Sequence, residues 1–400
     1  MNAILAATGG DAALVFIEVG AVVLALSVLA RIASRLGITA IPFYLLAGLA
    51  LGEGGIATLA VSSGFIERAG DIGVLLLLLT LGLEYTGDEL QRGLRTDAMP
   101  GVADAALNFT PGFLLGLLLG WDATSAVLLG GVTWISSSGV ISKLLTDLDR
   151  LGYRETPSIL NLLVIEDLAM AIYLPVVAAL IADRDVNATA LSVLVALVAV
   201  SAIIWLAIRW GDRLSDLLAP GSDEALLLAV FGITLLVAGF AERLQVSAAI
   251  GAFLVGLALS GTVQSRASTL IEPLRDLFAA TFFLFFSFQI SLSQLGAVIV
   301  PAVGLGVVTA GGKLVSGWLG AGRHGAGARG RLRAGSALIA RGEFSIVIAA
   351  VGAGAAKGQE LGALAAAYVL FTAVVGPLAA KYADRIPVPR RLERRAAKSR

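Results

Sequence analysis

Long apolar stretches separated by short polar segments run through almost the whole chain. A helix needs about 20 mostly apolar residues to cross a bilayer, and by that measure the pattern predicts thirteen spans. They lie near residues 12–30, 38–55, 71–86, 99–119, 124–145, 157–181, 190–208, 223–240, 246–261, 277–293, 297–319, 334–354 and 361–380. The pattern therefore predicts an all-α integral membrane protein with a transmembrane domain at 1–380 and a basic tail at 381–400.

Composition agrees with this interpretation and narrows the function. Of the 400 residues, 58% are hydrophobic and 14% are charged, which suits a lipid environment better than water. Net charge is zero, which argues against a nucleic-acid partner, and the lack of cysteine excludes disulfides and thiolate metal sites. The opening segment has no basic stretch, so we expect the first apolar segment to remain as a membrane anchor rather than a cleaved signal peptide.

The placement of basic residues predicts the orientation. With the N-terminus outside, alternate loops and the tail hold 23 of the 29 lysines and arginines, and the opposite loops hold four. Cytoplasmic loops of membrane proteins are enriched in these residues. We therefore predict a cytoplasmic C-terminus in the inner membrane of a bacterium. Only Lys313 and Arg341 remain inside predicted spans.

Two predicted spans carry polar residues and glycine at mid-depth. One holds the segment 133–139 and the other the segment 340–345. Non-helical backbone at that depth is tolerated where protein or a water-filled cavity covers it. These spans are the second members of two three-span groups that cross the membrane in opposite senses, as inverted repeats do. We expect broken helices in a core formed by about 99–181 and 297–380, with the other helices as a dimerisation scaffold.

Two adjacent acidic residues, Glu166 and Asp167, lie in the middle of the sixth predicted span among aliphatic residues. Burial of two ionised carboxylates is costly unless protons, a metal cation or a lysine neutralises them. Because neighbouring residues on a helix point about 100° apart, we expect Asp167 to face the broken helices and carry the cation and proton. Glu166 would then face Lys313. Alternatively, Lys313 offsets the negative end of a broken helix.

Further polar residues leave alternatives open. Arg341 and Glu343 either neutralise each other or cap the half-helix ends, and Glu84 is a possible partner of Arg341. Glu18 and Asp104 either assist ion ligands or lie at a dimer interface or helix end.

The only histidine and the basic tail are also open to two interpretations each. His324 lies in an Arg-rich loop, where a surface residue is the commoner interpretation and a pH sensor the alternative. The tail at 381–400 either fixes the topology or tethers the chain to the inner leaflet.

With these residues identified, the chain resembles the monovalent cation:proton antiporter-2 family, in particular the membrane domain of Kef-type potassium/proton antiporters and related bacterial sodium/proton exchangers. The motifs that carry the resemblance are Tyr44-Leu45-Leu46-Ala47-Gly48, Leu81-Gly82-Leu83-Glu84, Ser136-Ser137-Ser138-Gly139, Glu166-Asp167, Pro273-Leu274-Arg275-Asp276-Leu277-Phe278 and Gly342-Glu343-Phe344. Together they cover nearly the whole chain.

The resemblance implies a homodimer in which a core domain moves like an elevator against a fixed scaffold. It implies that Asp167 binds K⁺ or Na⁺ and the proton in turn, that Thr133 and Ser137 supply nearby oxygens, and that Lys313 pairs with Glu166. No cofactor is implied beyond the transported ions. Kef membrane domains are usually followed by a nucleotide-binding regulatory domain, so either a separate cytosolic subunit is a partner or such a domain belongs to a longer chain beyond Arg400.

Two departures from the family pattern affect the expected ion and stoichiometry. Glu166 stands where Kef proteins commonly have glutamine and electrogenic sodium exchangers commonly have aspartate. Gln289 lies in a phenylalanine-rich stretch and is a candidate substitute polar group. We predict proton-coupled exchange of K⁺ or Na⁺, with a ligand-gated monovalent cation channel as the alternative. An intramembrane protease, and enzyme activity generally, is disfavoured because the acids are adjacent on one helix.

Overall fold

The structure is a computed structural model, and it describes most of the chain. It describes residues 2–36, 40–52, 63–83, 87–181, 221–243, 248–288 and 292–386, with a few single positions between 194 and 218. The predicted span at 190–208 and most of the predicted tail lie outside the described residues.

The described residues form helices joined by short connections. In chain order they are α1 (Asn2–Leu36), α2 (Ile41–Leu51), α3 (Ser63–Leu83), α4 (Gly87–Leu118), α5 (Ala123–Trp134), α6 (Ser138–Asp147), α7 (Thr156–Ile181), α8 (Asp223–Arg243), α9 (Ala248–Ala258), α10 (Gly261–Phe288), α11 (Leu292–Arg323), α12 (Ala328–Ala337), α13 (Glu343–Val351) and α14 (Gly358–Tyr382). Single 3₁₀ turns follow α13 at Gly352–Gly354 and α14 at Ala383–Arg385.

Length and apolarity qualify several of these helices as membrane spans. Within the described part of the chain, seven segments are long and apolar enough to cross a bilayer. The exposure of large apolar side chains such as Phe16 and Leu24 on α1 is what a lipid-facing helix requires. By contrast, most positions of the Ala123–Ile141 segment are buried, whereas few positions of Phe16–Leu36 are. The segment with the first predicted break is therefore interior to the bundle.

Two predicted spans are interrupted where polar residues and glycine were found in the sequence. The helix pair α5 and α6 is separated by an extended stretch after Trp134, and α12 and α13 are separated by a stretch between Ala337 and Glu343. Broken helices at these two positions, predicted from the sequence, are thus present.

The helices pack in two groups. One group contains α1, α2, α3, α8, α9 and α10, in which α3 packs against both α9 and α10. The other contains α4–α7 and α11–α14, with α4 against α5, α7 and α11, and α11 against α12 and α14. The groups meet where α14 contacts α2, α10 contacts α13 and α9 contacts α7. Both broken helices belong to the second group.

Four connections predicted to be cytoplasmic lie at one end of the second group. Arg150 and Arg333 both contact the carboxylate of Asp384, with closest distances of 2.8 and 3.0 Å. Arg323 Nε donates to the carbonyl oxygen of Thr96 at 3.1 Å. These contacts join segments that are far apart in sequence, and they place Arg150, Arg323 and Arg333 at the same end of the group.

The first half-helix starts at a well-formed cap. Asp122 accepts hydrogen bonds from the backbone N–H of Ser125 at 3.0 Å and from its hydroxyl at 2.6 Å. Slight burial acts to raise the pKa of the Asp122 carboxyl, but these hydrogen bonds outweigh it and hold the pKa below its usual value. An ionised carboxylate here also suits the positive end of the helix, and it determines where α5 begins.

The close approach of α11 and α12 predicts a difference between two glycines. A Cβ on Gly335 would lie 2.8 Å from the Leu314 oxygen and 3.0 Å from the Lys313 oxygen, whereas Gly304 has no atom within 4 Å. We expect Gly335→Ala to lower the unfolding free energy by about 1–3 kcal/mol through overpacking. Gly304→Ala, the matched control on α11, should be neutral or slightly stabilising. Thermal unfolding of the purified variants in detergent checks this, and equal melting temperatures would contradict it.

Candidate ion-binding site

The two helix breaks touch each other. The backbone N–H of Ser137 donates to the carbonyl oxygen of Ala340 at 3.0 Å, and the Ser345 hydroxyl donates to the carbonyl oxygen of Val132 at 2.8 Å. A Cβ on Gly342 would come within 2.6 Å of Ser137 Oγ, so the contact requires glycine there. The breaks thereby form a compact crossing with polar main-chain groups inside the bundle.

Arg341 lies at the carboxyl ends of two half-helices. Its side chain is fully buried, and it donates to the carbonyl oxygens of Thr133 at 2.9 Å, Leu338 at 2.9 Å and Ile339 at 2.8 Å. These carbonyls lie at or just beyond the ends of α5 and α12, where helices carry partial negative charge. Of the two roles considered for Arg341, the geometry matches capping of half-helix ends rather than neutralisation of Glu343.

Glu343 has the complementary position at the amino ends of the other two half-helices. It is the first residue of α13, and its carboxylate accepts hydrogen bonds from the Ser137 hydroxyl at 2.7 Å and the Gly139 N–H at 3.4 Å. Gly139 lies in the first turn of α6. A negative charge is stabilised there by the partial positive charge of both helix ends. Arg341 thus offsets the partial negative charge at the ends of α5 and α12, and Glu343 offsets the partial positive charge at the starts of α6 and α13.

Lys313 of α11 is shared between two buried acids. Its Nζ lies 2.8 Å from Glu166 Oε1 on α7 and 2.8 Å from Asp104 Oδ2 on α4, and all three side chains are at most 2% exposed. The other Glu166 oxygen accepts the backbone N–H of Ser136 at 2.5 Å. The predicted proximity of Lys313 and Glu166 is present, and Asp104 is a second partner. Two carboxylates and one ammonium leave this trio with a formal charge of −1 unless it holds a proton.

Asp104 is connected further to the first break. It accepts hydrogen bonds from Trp134 Nε1 at 3.2 Å and Asn108 Nδ2 at 3.0 Å. The backbone carbonyl oxygen of Asn108 in turn accepts a hydrogen bond from the Thr133 hydroxyl at 2.8 Å. Of the roles left open for Asp104, this geometry matches a place beside the candidate ion ligands.

Asp167 lies beside Glu166 on α7 and is 1% exposed. Adjacent helical residues diverge by about 100°, and of the two acids it is Glu166 that contacts Lys313. The hydroxyls of Thr133 and Ser137 act as donors in the contacts above, and a hydroxyl oxygen that donates keeps lone pairs for a cation. Carboxylate, hydroxyl and carbonyl oxygens together suit a monovalent cation such as K⁺ or Na⁺.

A cavity of about 410 Å³ separates the two helix groups and reaches the second break. Its walls include Tyr44 on α2, Arg275 and Asp276 on α10, and Gly139 and Glu343 at the crossing. Because Asp276 is exposed while Glu343 is buried, the cavity leads from the surface to the half-helix ends. Its mouth is on the side that the basic residues predict to be cytoplasmic.

Comparison with known proteins agrees with this architecture. A family model described as the transmembrane sodium/hydrogen exchanger matches residues 22–381. The chain belongs to the sodium/hydrogen exchanger family.

Relatives within the monovalent cation:proton antiporters cover almost the whole chain. The K⁺/H⁺ antiporter subunit KhtU of Bacillus subtilis is 35% identical over 92% of this chain and 93% of its own length. The ammonium/H⁺ antiporter subunit AmhT of Alkalihalophilus pseudofirmus is 30% identical over the same shares. The sodium proton antiporter MjNhaP1 of Methanocaldococcus jannaschii has the same fold, with a TM-score of 0.70 over 94% of this chain and 99% of that one at 15% identity. The chain is therefore a multi-pass membrane protein of a family of cation/proton transporters.

Of the nine residues predicted to form the site, six take part in the contacts at and beside the crossing, namely Thr133, Ser137, Glu166, Lys313, Arg341 and Glu343, and Asp167 adjoins Glu166 on α7. Glu84 and Gln289 lie outside the described residues. Sequence reasoning missed Asn108 and Tyr368. The Tyr368 hydroxyl lies 2.8 Å from Thr309 Oγ1, and it donates to the backbone carbonyl oxygen of Thr133 at 3.3 Å. An asparagine one helical turn after Asp104 was the available signal for the first, whereas Tyr368 had none.

Proposed function

We propose that this protein exchanges a monovalent cation for protons across a bacterial inner membrane, with Asp167 as the shared carrier of cation and proton. The observation that supports it best is the arrangement around Lys313. This lysine contacts Asp104 and Glu166 at 2.8 Å each, so a lysine and two acids meet beside the helix breaks. Asp167 is the next residue on α7 and is 1% exposed, and binding of a cation or a proton lowers the cost of burying such a carboxylate.

K⁺ is the cation that we favour, with Na⁺ as the second choice. The relative named for K⁺/H⁺ antiport is 35% identical over nearly full length, while relatives named for Na⁺/H⁺ antiport, such as GerT of Bacillus cereus at 28%, are more distant. The oxygen ligands at the crossing accept either ion, and selection between them depends on cavity geometry.

We further propose an elevator-type movement of the group that carries the breaks against the other group, within a homodimer. The cavity between the two groups is consistent with a site open to one side at a time. A separate cytosolic regulatory subunit, nucleotide-binding by the family resemblance, is also proposed, because both KhtU and AmhT are named as antiporter subunits.

The test is transport by the purified protein in liposomes that enclose a pH-sensitive dye. We expect pulses of K⁺ or Na⁺ to drive protons across the membrane in a ratio of one to one, since one carboxylate carries one charge either way. Li⁺ and Rb⁺ serve to rank selectivity. A membrane current at symmetric pH would contradict the one-to-one ratio and implicate the Asp104–Glu166 pair in carrying a second proton. Cation flux without any proton movement would instead support a channel.

A further inference from the structure

A buried tyrosine on α14 lies between α11 and the end of α5. The side chain of Tyr368 is fully buried. Its hydroxyl lies 2.8 Å from Thr309 Oγ1 on α11, and it donates to the backbone carbonyl oxygen of Thr133, the next-to-last residue of α5, at 3.3 Å. The helices α11 and α14 approach closely here, since a Cβ on Gly306 would lie 2.5 Å from Phe371. One hydroxyl group therefore contacts two other helices.

The two contacts of this hydroxyl form a chain of hydrogen bonds. A hydroxyl has one proton to donate. Because Tyr368 donates to the Thr133 oxygen, both contacts are hydrogen bonds when Thr309 donates to Tyr368. Thr309 has another acceptor within α11, the Leu305 carbonyl oxygen at 2.9 Å, and the Thr133 oxygen has another donor, Arg341 Nη2 at 2.9 Å. The tyrosine thus connects α11 to the first break, while each end of the chain also has a partner of its own.

The connected residues adjoin the candidate ion ligands. Thr309 lies four positions before Lys313, so both residues are on one face of α11. Thr133 has the hydroxyl that we propose as a cation ligand, and that hydroxyl donates to the backbone oxygen of Asn108 at 2.8 Å. Binding sites require their ligand groups to stay within about 0.5 Å of the productive geometry. The spacing between α5 and α11 therefore affects both the ligand hydroxyl and the lysine.

We infer that Tyr368 is a positioning residue of the ion site, whose hydroxyl holds the end of α5 at a fixed distance from α11 and thereby sets the affinity for the cation. It acts through Thr133 and Thr309 and not as an ion ligand. Without this hydroxyl the end of α5 gains freedom of movement, which cation binding must then remove. One neutral hydrogen bond corresponds to roughly a two- to tenfold change in affinity. The inference rests on the proposed exchange function.

The first test is the kinetics of exchange by Tyr368→Phe in liposomes. We expect the half-saturating cation concentration to rise roughly two- to tenfold, with a maximum rate close to that of wild type. A purely structural role would instead lower the amount of active protein, and with it the maximum rate, at an unchanged half-saturating concentration. That second pattern in Tyr368→Phe would overturn the inference.

The matched control lies one turn later on the same helix. Thr372 is 1% exposed, and its hydroxyl donates to the backbone oxygen of Tyr368 within α14 at 2.9 Å. Thr372→Val removes a buried hydroxyl from α14 without touching the connection to α5, so we expect wild-type kinetics. A rise in the half-saturating concentration equal to that of Tyr368→Phe would also overturn the inference.

The other end of the connection gives an independent set of variants. Thr309→Val should raise the half-saturating concentration by the same roughly two- to tenfold factor, and Thr309→Ser, which keeps the hydroxyl, should restore it. The double variant of Thr309→Val with Tyr368→Phe should be no weaker than either single variant, because both remove one connection. Additive effects, or equal losses in Thr309→Ser and Thr309→Val, would refute the connection between α11 and α5.

A binding measurement without transport keeps this inference separate from the proposed function. A bound cation raises the melting temperature according to its concentration relative to its Kd. At constant ionic strength, kept with choline chloride, Tyr368→Phe in detergent should need roughly two- to tenfold more K⁺ or Na⁺ than wild type for the same rise. Equal requirements would overturn the inference. A shifted requirement in the variant, with no exchange by wild type, would refute only the proposed function.

Discussion

Replacing Asp167 with asparagine should reduce cation/proton exchange to the level of protein-free liposomes. Asparagine has nearly the same shape, but it cannot bind and release a proton. It also lacks the negative charge that a bound cation would neutralise. Asp167 is 1% exposed on a helix of the group that contains both breaks, and we propose it as the carrier. The measurement is cation-driven proton movement in liposomes with equal amounts of folded protein.

The neighbouring residue provides the matched control for this prediction. Glu166→Gln should retain exchange, because the amide oxygen still accepts the Ser136 N–H and Lys313 keeps Asp104 as its charged partner. The two variants carry the same chemical change, from carboxylate to amide, at positions that are one residue apart on α7. Robust exchange by Asp167→Asn, or its loss only in Glu166→Gln, would move the carrier role to the other carboxylate.

Replacing Lys313 with methionine should cause the largest loss of stability. Methionine fills similar space but leaves Asp104 and Glu166 buried around an uncharged side chain, where each now depends on neutral donors. Removal of one partner of a buried ion pair costs about 3–5 kcal/mol. The measurement is the melting temperature in detergent, read from the amount of protein that stays monodisperse as the temperature rises.

Two controls identify the cause of that loss. Lys357→Met removes a lysine whose pair with Glu360 is about half exposed, and exposed pairs contribute about 0.2–1 kcal/mol. A triple variant that combines Lys313→Met with Asp104→Asn and Glu166→Gln removes the unpaired charges and should recover part of the stability. No recovery would mean that packing around Lys313, and not its charge, stabilises the helices.

Hydropathy and glycine placement were enough to predict the broken helices. Polar residues flanked by apolar ones at 133–139 and 340–345 predicted interruptions, and the structure ends α5 at Trp134 and α12 at Ala337. The reason is local: backbone groups that leave a helix inside the membrane need polar neighbours and close packing, and these needs are visible in the sequence. The pairing of Lys313 with an acid was predictable for a similar reason, since few basic residues lie inside spans.

The partners of these residues were harder to predict, because they come from distant helices. Asp104 is 62 positions from Glu166, and nothing in its own surroundings distinguishes a helix-end acid from a partner of Lys313. Arg341 and Glu343 are two residues apart, which suggested a mutual pair as readily as the observed division between negative and positive half-helix ends. His324 looked like a loop residue because Asp97 is 227 positions away.

Sequence by itself determined that this chain lies in a membrane as helices, that two of those helices break, and that acidic residues and one lysine lie inside the predicted spans. Each of these follows from the cost of placing polar groups in hydrocarbon, which depends on the residue and its neighbours along the chain. Only the tertiary structure decided that Lys313 holds two acids, that Arg341 and Glu343 cap opposite half-helix ends, and that His324 joins Asp97. Electrostatic partners depend on distance in space, and helix packing sets that distance.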